Sequence, residues 1–199
     1  VWYSVSFGIG KREFVGLENY RELFGNEMFL LAVKNTCRYM LATVPFTLAA
    51  SILLSVVFQK MGHGVRFFQL SFLYPMIMPI ASVVLGVEFL WGNGGFWNRI
   101  LEMAGMKGQE WLHSPAAFWI LCILYFWRFA GYYILIYFAR LQMIPQEYYE
   151  YASLFGAEEG QKFYHITWPM LIPTVLFTIV LSVMNAFKCY REAFLLGGN

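Results

Sequence analysis

The sequence predicts an all-α fold, a polytopic bundle of membrane-spanning helices. Three observations carry this. The chain of 199 residues is 59% hydrophobic and 20% aromatic, and only 13% of it is charged, against about 25% charged residues in an ordinary soluble domain. Its apolar residues gather into uncharged runs of spanning length. The period-two alternation of a membrane β-barrel is missing, and backbone crossing lipid must satisfy its own hydrogen bonds, which leaves helices.

In chain order, "VWYSVSFGIG" (Val1 to Gly10) is apolar but too short to span, and no basic stretch precedes it as in a signal peptide. It reads as the end of a clipped spanning helix, so the chain is expected to be a fragment lacking both ends. The first full run is Tyr39 to Phe58, 20 residues without a charge, which as a helix covers about 30 Å. Lys34 and Arg38 flank one end and Lys60 and Arg66 the other, and Pro45 falls in its first two turns. The second run, Phe67 to Val87, holds Pro75 and Pro79 on one face; each removes a backbone donor and is expected to bend the helix. The third, Pro115 to Ala139, starts with proline in its first turn and carries Arg128 near its middle. The fourth, Ile166 to Phe187, has Pro169 and Pro173 near its start. Lys and Arg are spread too evenly over the loops to settle orientation.

Several function classes fall away. A net charge of +2 without a Lys/Arg run gives no footprint for nucleic acid. Cys37, Cys122 and Cys189 form no C-x-x-C pair and read as lipid-buried small hydrophobes. His63, His113 and His165 stand apart, so no metal site is expected. No P-loop and no G-x-S-x-G is present, so neither a nucleotide cofactor nor a catalytic constellation is indicated.

The polar stretch 140–165 interrupts the apolar runs. Gln146 to Phe155 is a plausible short helix with acidic Glu147 and Glu150 near its positive end. Gly156 permits a turn without a Cβ clash, and Ala157 to Tyr164 reads as a second short helix leading into the membrane. Taken alone, this is a helix–turn–helix on the bilayer surface, and an ordinary polar loop fits the composition as well.

The order Glu150, Ala152, Gly156, Ile166, Pro169, with the spacing Glu-x-Ala, three residues, Gly, nine residues, Ile-x-x-Pro, resembles the EAA signature of membrane subunits of binding-protein-dependent ABC importers. The lead-in "LQMIPQEYYEYA", the segment "VGLENYRELF" followed by Asn35-Thr36, the trio Trp127, Arg128 and Gly131, and the terminal "FLLGGN" resemble sugar-type permeases in the same order along the chain. Two positions depart from the pattern: Tyr151 stands where the signature has alanine, and Phe155 where an aspartate is frequent.

The resemblance implies a type I ABC importer permease fold, in which the loop is cytoplasmic and docks on a separate ATP-binding subunit, with ATPase-coupling roles for Glu150, Ala152 and Gly156. It implies that residues 1–34 are the end of a first transmembrane helix plus an extracytoplasmic segment, and residues 35–199 the transmembrane core. It implies a homologous second permease subunit, an extracytoplasmic solute-binding protein and a bacterial or archaeal cell membrane, with a carbohydrate as cargo and no catalysis in this chain.

Tyr125, Arg128 and Tyr132 share a helical face and, with Asn185, are the substrate-pathway candidates, since intramembrane charge marks function. The plainer alternative is that Arg128 pairs with Glu88 or with carbonyls while the tyrosines pack, and that Asn185 and nearby Ser182 bond between helices. Rival readings for the whole chain are an ion-coupled transporter working alone, which predicts inverted repeats, and an integral membrane enzyme.

Overall fold

The computed structural model describes residues 3–5, 12–14, 16–61 and 65–188. The chain forms two compact units, Val1–Tyr39 and Met40–Asn199.

In the first unit β1 (Tyr3–Val5) pairs antiparallel with β2 (Arg12–Phe14), Ser4 opposite Glu13. Tyr3–Val5 is therefore extended where a spanning-helix end was expected. The physical reason is local: Val, Trp, Tyr and Phe interleaved with Ser favour a pleated strand over a helix. Next comes α1 (Glu18–Gly25). Asn26 then opens α2 (Glu27–Lys60), its Oδ1 accepting the N–H groups of Met28 and Phe29 at 2.9 and 3.3 Å. This cap, with Glu27 in the first turn, starts the helix 12 residues before the uncharged run. Pro45 consequently lies in the helix interior and not in its first turns.

The second unit holds the rest of α2, then α3 (Val65–Ile77), α4 (Ile80–Trp91), α5 (Phe96–Met103), α6 (Ala116–Gln142), α7 (Gln146–Leu154), α8 (Glu159–Lys162) and α9 (Trp168–Phe187). Among the described residues three helices are long and apolar enough to cross a membrane, or four if the bent pair 67–77 and 80–103 is one span. The second apolar run is that bent pair, turned through 97°. Pro75 stays inside α3, whereas Pro79 adopts ψ 140° and caps α4. Without an N–H, Pro79 cannot donate to the Pro75 carbonyl, and the helix restarts.

Small residues bring α2, α3 and α6 together. Thr43, Thr47, Ser51 and Ser55 recur every fourth residue of α2 and are all buried, and Ser51 Oγ donates to the Ala130 carbonyl across the interface at 3.3 Å. Such stripes let spanning helices approach closely where lipid leaves little hydrophobic drive. At Gly131 the helices approach so closely that a Cβ there would collide with the backbone carbonyl of Phe72. Around it Phe58, Ala130 and Ile134 form one core cluster with Phe72 and Phe126. A second cluster joins Val83 and Val87 of α4 to Ile120 and Leu124 of α6.

Between α8 and α9 the chain widens into a π-helical turn, Phe163–Thr167, whose exit N–H of Trp168 reaches back to the Phe163 carbonyl. Pro169 cannot supply the next N–H, and the wide turn accommodates that loss. The expected second short helix is therefore not a separate element: 159–187 is one continuous helix of 29 residues.

Candidate functional site

The stretch 145–165 is built from three local devices. Pro145 caps α7 with ψ 131°, and Glu147 sits in the first turn, where the helix dipole favours a negative charge. At the other end Gly156 has φ +76°. Its N–H donates to the Ser153 carbonyl at 3.0 Å, and that of Ala157 donates to the Ala152 carbonyl at 3.0 Å. These crossed bonds are a Schellman motif, which needs a left-handed residue at the glycine position. Beyond the turn, Glu158 donates its N–H to Gln161 Oε1 at 2.9 Å, the return half of a capping box that starts α8.

Two contacts tie this loop to the bundle, and a third joins the helices that flank it. Lys60, the last residue of α2, pairs with Glu159 at 2.9 Å, and Lys162 pairs with the same carboxylate at 3.2 Å. Hydrogen bonds from Lys60 first, then Lys162, hold the Glu159 carboxyl below its ordinary value. The hydroxyls of Tyr149 and Thr167 share a hydrogen bond of 2.9 Å between α7 and the π turn. Arg140 at the end of α6 donates Nε–H to the Met170 carbonyl at 3.1 Å.

Of the three sequence-predicted loop residues, Glu150 and Gly156 are exposed and Ala152 is half-buried. Tyr148, Tyr151 and Phe155 follow one another at i, i+3, i+7 and are all exposed, Phe155 at 91%. Leu154 is 81% exposed beside them. The two departures from the signature, Tyr151 and Phe155, thus lie on one outward apolar face.

Of the pathway candidates, Tyr125 and Asn185 make contacts across the seam between α6 and α9. Tyr125 is buried, and its hydroxyl lies 2.8 Å from both the carbonyl oxygen and Oγ of Ser182. Asn185 donates Nδ2–H to the Tyr133 hydroxyl at 3.2 Å. Tyr132 and Arg128 are half-buried; the Tyr132 ring lies 5.5 Å from that of Tyr133, and the Arg128 guanidinium 5.8 Å from that of Phe129. Glu88 is exposed on α4. Two residues unnoticed in the sequence complete the seam: Tyr137 and Thr178 share a hydroxyl–hydroxyl bond of 2.5 Å. Their spacing from Tyr133 and Ser182, four residues in each case, was the available signal.

A further unforeseen residue is Asn98 of α5. It is 2% exposed, donates Nδ2–H toward the carbonyls of Gly92, Asn93 and Gln109 at 3.0–3.1 Å, and accepts at Oδ1 from the Gln109 N–H and Trp111 Nε1–H, both at 2.9 Å. Among the described residues no group of three or more His, Cys, Asp or Glu is placed to hold a metal ion. Cys37 is exposed and Cys122 half-buried, and neither is in a disulfide; Cys189, His63 and the terminal "FLLGGN" lie outside the described residues.

The bundle and its loop define a multi-pass integral membrane protein with a short helix between two spans that exposes an apolar face. The chain belongs to the family described as the binding-protein-dependent transport system inner membrane component, which matches residues 36–199. This is a family of transport permeases, not of enzymes. It is 32% identical over 189 residues to a probable ABC transporter permease protein, YesP, of Bacillus subtilis, covering 92% of this chain and 60% of that protein. It is 31% identical over 188 residues to the arabinooligosaccharides transport system permease protein AraP of Halalkalibacterium halodurans, covering 91% of this chain and 58% of that one. The chain thus spans about 60% of the length of these relatives. In fold it is similar to a chain of a bacterial ABC transporter involved in the import of the acidic polysaccharide alginate, with a TM-score of 0.81 at 24% identity, over 94% of this chain and 66% of that chain.

Proposed function

We propose that the chain is a permease subunit of an ATP-driven importer that translocates a carbohydrate delivered by a solute-binding protein. The observation that carries this reading is the apolar face of α7, held outward by the Schellman turn at Gly156 and anchored to α2 through Lys60 and Glu159. An exposed row of Tyr148, Tyr151 and Phe155 on a polar loop suits insertion into a groove of another protein, the way amphipathic helices are commonly recognised. The occupant of that role is a cytoplasmic ATP-binding subunit. Glu150 offers an acid for a basic partner residue, half-buried Ala152 allows close approach, and Gly156 sets the angle between α7 and α8. A homologous second permease subunit completes the pathway.

The cargo class rests on the names of relatives, which include transporters for arabinooligosaccharides and for sn-glycerol-3-phosphate. Arg128 and Tyr132 are our candidates for lining the path, with Tyr125 and Asn185 holding α6 against α9 behind them. One solved relative is in complex with an alginate pentasaccharide-bound periplasmic protein, which fits delivery by such a partner here.

The test is Phe155→Glu in the complete importer. A hot-spot aromatic is worth about 2 kcal/mol, or some tenfold and more in affinity, so co-purification of the ATPase and ATP-driven uptake should both fall while membrane insertion is unchanged. Wild-type retention of the ATPase by this variant would remove the docking role from α7.

A further inference from the structure

Helix α5 is inside out. Its polar Asn98 is buried against its own connecting loop, five hydrogen bonds deep, while Phe96, Trp97, Ile100 and Met103 point outward and are exposed, Met103 at 81%. Phe96, Ile100 and Met103 recur at i, i+4, i+7 and make one face. The charged residues Arg99 and Glu102 lie on the other flank, and Arg99 Nε–H is turned back onto the Gly94 carbonyl at 3.2 Å. A short helix that spends its polar side on its own loop and shows its apolar side to the outside needs something apolar to lie on.

We propose that α5 lies in the headgroup–acyl boundary of the bilayer, parallel to its surface, at the end of the bundle opposite the 146–165 loop, with the lipid surface itself as the partner. The apolar outer surface runs on from the adjacent spanning segment: Leu85 and Phe89 of α4 are exposed in the same way, and only residues 92–95 separate that helix from α5. Trp97, of the residue type that settles at membrane–water interfaces, is exposed on α5, while Trp91 and Trp111 at the same end pack on the α4–α6 cluster. Aromatic and aliphatic residues on one face and charges on the other are the pattern of an interfacial helix. Asn98 then serves to clamp the 92–111 turn so that α5 cannot rotate its apolar face inward. The solute-binding protein is the competing occupant of this face.

The experiment uses the complete importer in lipid nanodiscs, with the native cysteines replaced by alanine and a single environment-sensitive fluorophore attached to Met103→Cys or, for comparison, Glu102→Cys. Both positions are exposed, so the label disturbs no packed contact. The label at position 103 is expected to lose most of its fluorescence to lipids bearing a nitroxide just below the headgroup and little to aqueous iodide. The label at position 102 is expected to behave in the reverse way. Equal quenching of both labels by iodide would overturn the proposal, as would shielding of position 103 only after the solute-binding protein is added. Neither readout depends on the ATPase, so failure here is distinguishable from failure of the docking role of α7.

Discussion

A side chain at Gly131 would run into the Phe72 carbonyl, whereas a side chain at Gly156 would meet open space on a strained backbone. Substitutions at the two glycines therefore fail differently. Gly131→Val forces α3 and α6 apart, an overpacking cost of about 1–3 kcal/mol, and should lower the thermal stability of the detergent-solubilised protein. Gly156→Ala brings no clash, but a left-handed residue with a Cβ costs about 1–2 kcal/mol. It should weaken ATPase-coupled uptake without lowering expression, and Gly156→Asn, which tolerates this conformation, should restore most of the uptake. If alanine and asparagine proved equal, backbone strain would not be the reason for glycine. Asn98→Asp removes the donor to three carbonyls; leaving such groups unsatisfied costs about 1–3 kcal/mol, and limited proteolysis should cut the 92–111 segment more readily. Gly156 was legible because a glycine between two helical patterns has one common use. Asn98 was not, because its five hydrogen bonds reach residues 11 and 13 positions away, and nothing in a single residue's neighbours announces such a convergence. Tyr125 was legible as a member of a polar face, yet its commitment to Ser182 depends on how two helices cross.

Among the elements, the broken helix α3–α4 shows what proline spacing leaves undecided. Pro75 and Pro79 are equivalent in sequence, and both were expected to bend the helix; only Pro79 ends it. The difference comes from packing, since α3 around Phe72 is pressed onto α6 at Gly131 whereas the chain beyond Met78 turns to another cluster. The long reach of α2 back to Glu27 was hidden for a different reason: charge-bearing turns of a helix look like loop when only uncharged runs are counted. The link between α2 and α8 carries a pH dependence with a defined sign. The Glu159 carboxyl is held below its ordinary value by Lys60 and Lys162, so its tether is fully present above the ordinary carboxylate pKa and is lost as pH falls through the depressed one. Both partners are largely exposed, so the effect is local. Amide hydrogen exchange in residues 159–162, corrected for its intrinsic pH dependence, should speed up in acid. Glu159→Gln should already exchange fast at neutral pH and show no further change on acidification.

At the scale of the whole molecule the outline was readable: spans, loop and all-helical class follow from where charge is absent. What was not readable is which surfaces stay open. Ile172, Leu176, Val180 and Met184 of α9 repeat every fourth residue and all face outward, although their sequence is indistinguishable from that of a buried stripe. A chain with so much apolar surface outside its own core needs apolar surroundings to cover it, and the proposed function supplies them as lipid and other subunits. Transport should therefore require the assembly. In proteoliposomes carrying the complete permease pair, cargo uptake is expected only with the ATPase subunit and ATP present. Uptake driven by an ion gradient in their absence would move the protein to the class of stand-alone transporters.

The unbroken helix 159–187 adds a mechanical consequence. A rod of 29 residues is about 43 Å long at 1.5 Å per residue. Swung through roughly ten degrees about the wide turn at Phe163–Thr167, the 20 residues of α9, about 30 Å long, carry their far end sideways by about 5 Å. The short arm of this lever is α8, fastened to α2 by Lys60, and its long arm is the wall of the seam with α6. A small displacement at α8 would thereby be enlarged at the far end of α9, with no hinge between them other than the single wide turn at Phe163–Thr167.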